Sequence, residues 1–307
     1  MNPPDSPSPD QPSSAGAAST GEEILRRSWA LIRMHPQLAL FPALVWIAGV
    51  SAIWCIGHTY GSGYEPTTPA IIRPFTFFAY NRDLHHLLVL SASYFPLLLI
   101  GTFLNVGLFH EIMRAFAGES PSLRRGLGFA SDRIVPILIW SLFAATVGMV
   151  FNLIDSRLGW LGKIRSAVGG FAWGVAAVFV IPVLVRDGGA DPIRVLRHSA
   201  GLVKNTWGEW VYGAVRLHMP QIGILVGIVL VVAGASLNEV VVKAGEPHRW
   251  VDAGWVAIIG TAVIFGVAST LCGAVYDCAL YIFATEGVVP EPFCREDMDA
   301  RWKIKGA

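Results

Sequence analysis

The side chains able to do chemistry in this chain are few and scattered. Asn105, His110, Arg216, His218, Gln221 and Asp277 stand inside otherwise apolar stretches. Polar groups are expensive in hydrocarbon, so each is a candidate for binding, proton handling or helix–helix contact. Asn105 is the most central and suits hydrogen bonding between helices. The others lie near the ends of their stretches, within reach of headgroups. His58, His85 and His86 share the connection 57–86 with Tyr60, Tyr64, Glu65 and Asp83. That set could offer metal ligands or a pH response, but reads first as polar residues at the mouth of a loop. Glu296, Asp297 and Asp299 offer oxygens to a divalent ion, but follow Pro290 and Pro292 in a charged tail and read as a solvated helix start. Cys55, Cys272, Cys278 and Cys294 form no CxxC and have no histidine at zinc spacing, so neither a structural zinc nor a disulfide is expected. GxGxxG, GxxxxGK[ST], HExxH and GxSxG are all missing. No catalytic residue, metal or cofactor is assigned.

The elements that must hold these residues follow from composition. The chain is 53% apolar and only 15% charged, against about 25% charged for ordinary soluble chains. The apolar residues fall into six runs, roughly 38–57, 87–109, 134–154, 168–185, 211–235 and 255–283. About 20 helical residues match the hydrocarbon thickness, so an all-α, polytopic transmembrane bundle of six spans is expected. The fourth run is short and contains Pro182; the sixth is long and must tilt. Residues 1–21 read as a disordered tail without the basic segment of a signal peptide, 22–288 as the membrane domain, and 289–307 as a short C-terminal tail. Fifteen Lys and Arg fall on the side of the two termini and seven on the other. That bias predicts both termini on the cytoplasmic side of the plasma membrane. A net charge of +1 gives nucleic acid no purchase.

The inner connections carry structure of their own. Residues 22–34 place Ile24, Leu25, Ser28, Leu31 and Ile32 on one face, away from Arg26, Arg27 and Arg33. After Asp191-Pro192, an N-cap and a first-turn proline, Ile193, Leu196, Ala200, Val203 and Trp207 recur at helical spacing, with Arg194, Arg197, His198 and Lys204 off that stripe. Both read as interfacial amphipathic helices. Arg26, Arg27, Arg124, Arg125, Arg194, Arg197 and Lys204 are the expected contacts to anionic headgroups. A helix packed on the bundle floor is the alternative. Leu25-Arg26-Arg27-Ser28 aligns with Leu196-Arg197-His198-Ser199, and Leu123-Arg124-Arg125-Gly126 opens the second inner connection the same way. This pattern suggests three units of interfacial helix plus hairpin. Gly170-x-x-x-Gly174 and Gly223-x-x-x-Gly227 offer close helix contacts, within the bundle or between copies.

Several stretches together carry a resemblance. They are Arg27-Ser28-Trp29 before Phe41-Pro42; Ile139-Trp140 with Ala144 and Thr146-Val147-Gly148; Trp173 with Phe179-Val180-Ile181-Pro182-Val183; Arg197-His198-Ser199 with Lys204 and Trp207-Gly208-Glu209; and Ala279-Leu280-Tyr281 with Ala284-Thr285-Glu286-Gly287. In these the chain resembles a family of prokaryotic six-helix membrane proteins catalogued as a domain of unknown function. The resemblance implies a membrane fold and no activity. A non-enzymatic transport or lipid-contact module is the leading expectation. A scaffold or accessory subunit bound to another membrane protein is the first alternative, and an intramembrane enzyme acting on lipid the second. Converging acid and base groups at the interface would mark the enzyme. An aqueous cavity with broken helices would mark a transporter.

Overall fold

The computed structural model describes residues 25–60, 84–206 and 248–293, and all its regular elements there are helical. Helix α1 (25–34) is followed by a 3₁₀ turn, Pro36–Ala39, and by α2 (Leu40–Tyr60). Then come α3 (Leu84–Phe116), the short α4 (Leu123–Asp132), and a helical run α5 (Ile134–Ala176). Short α6 (Val180–Asp187), amphipathic α7 (Pro192–Thr206) and long α8 (His248–Glu286) complete the described fold.

Four stretches are long and apolar enough to cross a bilayer: Pro36–Ile56, Tyr94–Phe116, Ile134–Phe151 and Val256–Glu286. A fifth crossing is available if Ala172–Asp187 and Pro192–Lys204, bent by 115° to each other, count as one broken span. The apolar run 211–235 lies outside the described residues, so six spans rest on the sequence. Ile47, Leu142 and Ile264 on these helices are exposed, Ile264 by 72%. Such side chains suit a hydrocarbon surround better than water.

α5 is continuous in hydrogen bonding yet is not a rod. Trp140 and Trp173 are 33 positions apart, about 50 Å on a straight helix. Their rings nevertheless stack at 5.8 Å, with Phe143 tilted against both. Gly169 also sits against the ring of Phe151. The chain therefore doubles back between 151 and 169, and its two arms are the third and fourth apolar runs. The second arm is interrupted at Ala177–Phe179, where Pro182 follows in α6. Proline lacks the amide hydrogen a continuous helix would use, so a break just before it is the relaxed outcome.

α3 lies at the centre, touching α2, α4, α5, α6 and α8. Phe41, Leu108, Ile112, Ile137, Phe179, Leu184, Leu280 and Phe283 form the closed part of the core. It is concentrated toward the ends of α3, α6 and α8 that carry the basic connections. After α8, Gly287 turns in the left-handed region and the chain runs back under the bundle. There Phe293 packs against Phe116 and Tyr276. Thus residues 289–293, assigned to the tail in the sequence, belong to the packed body.

Candidate functional site

The site grows from one carboxylate on an apolar helix face. Glu111 follows Gly107 and Leu108 and precedes Ala115 at the spacing of one α3 face, and that face is buried. Its side chain is fully enclosed. A buried carboxylate must be hydrogen-bonded and paired to persist in charged form. α4 supplies both requirements. Arg125 grips Glu111 with two nitrogens, Nε to Oε1 at 2.9 Å and Nη2 to Oε2 at 2.6 Å. The Ser122 amide, ahead of the first turn of α4, donates to Oε2 at 2.6 Å. That amide is one of the orphan donors of a helix start, and Glu111 answers it as the carboxylate of a capping box would. The bonded carboxylate raises the Arg125 guanidinium above its ordinary pKa. Arg125 also holds the Ser120 carbonyl, and Arg114 pairs with Glu119, closing the turn between the helices.

Two glycines allow the approach. A Cβ on Gly126 would lie 2.5 Å from Phe41 Cζ and 3.0 Å from the Gly107 carbonyl oxygen. A Cβ on Gly107 would lie 2.9 Å from the Gly126 oxygen. α4 therefore crosses α3 backbone to backbone, with the Phe41 ring as the wedge. One turn further along α4, Phe129 stacks flat on His110 at 3.8 Å. Its other partner is the Arg133 guanidinium at 4.6 Å. Arg133 Nη1 then donates to the Leu184 carbonyl at 2.7 Å, satisfying one of the free carbonyls at the end of α6.

The same contact recurs at α7. Ser199 occupies the position of Gly126, is fully buried, and its hydroxyl accepts the Phe179 amide at 2.9 Å. That amide is set free by the break before α6. His198 occupies the position of Arg125 and meets Asp187 at 2.8 Å. At α1, Ser28 is fully buried and Arg27 reaches the Pro292 carbonyl at 3.4 Å. Ile32, Ala130 and Val203 are buried at the equivalent third position. The three basic stretches thus share a burial register. In each, the residue before the buried small one bonds near the end of a neighbouring helix: Arg27 to Pro292 past α8, Arg125 to Glu111 in the last two turns of α3, His198 to Asp187 at the end of α6.

The sequence candidates are distributed unevenly over this arrangement. His110 borders the site, 3.9 Å from Glu111, and Asn105 is half-buried on α3. Asp277 is buried on α8. Arg216, His218 and Gln221 lie outside the described residues, as do His85 and His86 with respect to their side chains. Arg26, Arg124, Arg194, Arg197 and Lys204 are exposed, whereas Arg27 and Arg125 are half-buried and bonded within the chain. Among the described residues no group of His, Cys, Asp and Glu is placed to hold a metal ion.

Residues 85–290 match a family of unknown function, DUF6159. The chain belongs to this family. The matched segment starts within α3 and runs to the turn after α8, so it takes in Glu111, α4, the broken fourth arm and α7. The family carries no assigned activity. No curated protein and no solved structure matches the chain.

Proposed function

We propose that the protein is a six-span membrane protein of the plasma membrane, with both termini in the cytoplasm, whose inner amphipathic helices hold anionic lipid headgroups against the bundle. The observation that carries this reading is the two-sidedness of α4 and α7. Gly126 and Ala130, and Val195, Ser199 and Val203, are buried against the ends of the spans. Arg124, Arg194, Arg197 and Lys204 stand exposed on the other side. A helix so divided, lying at the end of an apolar span, meets the headgroup layer with its charges. Of the two halves of the sequence expectation, lipid contact is supported by these residues and transport by the break at Ala177–Phe179, but the amide freed there is taken by the buried Ser199 and does not face an open cavity. Lipid contact is therefore preferred.

The test is made on the whole protein. Phosphatidylglycerol added to the detergent-purified chain should raise its Tm, and replacement of Arg194, Arg197 and Lys204 by Gln should remove most of that rise. Each charge contributes about 1 kcal/mol near an anionic surface. An equal rise in the native and triple-Gln chains would end the proposal.

A further inference from the structure

The two inner elbows of the chain, α3–α4 and α6–α7, are built alike but closed differently. At the first, Glu111 lies four residues beyond the crossing glycine Gly107 and fills the elbow from within. At the second, the crossing residue is Phe179, and four residues beyond it stands Val183, which is buried and apolar. His198 of α7 finds its carboxylate one turn later instead, at Asp187. That turn adds about 5–6 Å along the helix axis. The pair His198–Asp187 is accordingly half-exposed, and the elbow behind it stays open.

The opening is a cavity of about 440 Å³ lined by Asp187, Gly189, Ala190, Asp191, Arg194 and His198, with Val195 at its floor. Gly188 turns the corner in the left-handed region, φ 61°, where a side chain would also strike Arg133. The charges around the cavity are of both signs. Asp191 Oδ1 accepts the amides of Ile193 and Arg194 and so serves the start of α7. Asp187 gives one oxygen to His198. The Arg194 guanidinium has no hydrogen-bond partner among the described residues. A purely anionic ligand here would face two carboxylates, and a purely cationic one would leave Arg194 unanswered.

We infer that the α6–α7 elbow binds a phosphate ester bearing an ammonium group, of the phosphoethanolamine class, with phosphate on Arg194 and ammonium between Asp187 and Asp191. The volume is within the usual range for small-ligand sites. This inference rests on the interfacial placement of α7 proposed above, and adds to it a selectivity that the exposed basic stripe does not have. The stripe attracts any anion, whereas the elbow selects for the amine.

The full chain in detergent would be titrated with phosphatidylethanolamine, phosphatidylglycerol and soluble phosphoethanolamine, and bound ligand read by native mass spectrometry. Phosphatidylethanolamine is expected to bind about tenfold more tightly than phosphatidylglycerol, a ratio that one satisfied charged hydrogen bond supplies. Asp187→Asn should abolish that preference, and Arg194→Gln should weaken both lipids. Ala190→Trp should block the cavity while leaving every charge in place. Competition by soluble phosphoethanolamine at similar concentration would identify a free ester as the ligand, and lack of it the lipid. Equal binding of the two lipids by the native chain, or unchanged phosphatidylethanolamine binding in both Asp187→Asn and Ala190→Trp, would overturn the inference. A bilayer-quenched fluorophore at Ile193 separates the failures. Quenching without selectivity removes the elbow site alone, and absence of quenching removes the interfacial reading beneath it.

Discussion

Glu111 is the residue on which the α3–α4 end of the bundle turns. Its carboxylate satisfies a helix start and an arginine at once, and nothing apolar replaces both functions. Glu111→Ala is expected to cost about 2–3 kcal/mol, since it strands the Ser122 amide and the Arg125 fork together. Glu111→Gln should cost less, because an amide oxygen still accepts from Ser122. Arg124→Ala, one position from the fork but exposed, should leave the Tm unchanged. Thermal unfolding in detergent measures all three, and equal losses for Glu111→Ala and Arg124→Ala would refute the clamp. The sequence offered a sign of this residue that composition concealed. The second apolar run ends at Phe109, and Glu111 is the first charged residue after it. Its spacing from Gly107, Leu108 and Ala115 puts it on the apolar face, and a charge on that face is the mark of a buried pair. The partner could not be read, because the 14 residues to Arg125 include a turn whose course is set by the crossing itself.

At the scale of elements, the amphipathic pattern of α1 and α7 was legible because a one-sided apolar stripe has a fixed period. The N-cap at Asp191 was legible because its chemistry is local. The α5 reversal was legible as the gap between the third and fourth apolar runs, 134–154 and 168–185, but the unbroken helix through that gap was not. Residues 152–168 contain Gly159 and Gly162 but no proline, so helical hydrogen bonding runs through the bend and no breaker marks it. What fixes the bend is the stacking of Trp140 on Trp173, a contact across 33 positions that no local rule contains. The α3–α4 crossing makes a sharp test at this scale, because two glycines of one short helix have opposite surroundings. Gly126 has backbone and a ring within 3 Å of where a Cβ would stand, while Gly128 has nothing within 4 Å. Gly126→Ala should destabilise by about 1–3 kcal/mol. Gly128→Ala should be neutral or stabilise by up to about 1 kcal/mol, the ordinary helix preference of Ala over Gly. Comparison of the two melting curves decides it, and like effects would mean that α4 does not approach α3 so closely.

For the whole molecule, six spans and the cytoplasmic placement of both ends are open to a direct experiment. Single cysteines at Ser62 and Ser236 should react with a membrane-impermeant maleimide from outside intact cells, and cysteines at Ser13 and Ser122 only after permeabilisation. Any one position on the wrong side would break the arrangement. The described body already ties its two ends together, since Arg27 reaches Pro292 and α8 packs on both α2 and α3. α3 thus stands between neighbours made at very different times. At about 5–20 residues per second, the roughly 200 residues from α3 to the end of α8 take about 10–40 s to synthesise. During that interval the nascent chain holds α3 in the bilayer without its last companion. Its one enclosed charge does not wait: Arg125 emerges 14 residues behind Glu111, about a second or so later. The order of synthesis therefore lets the ribosome deliver the neutralising group almost with the charge.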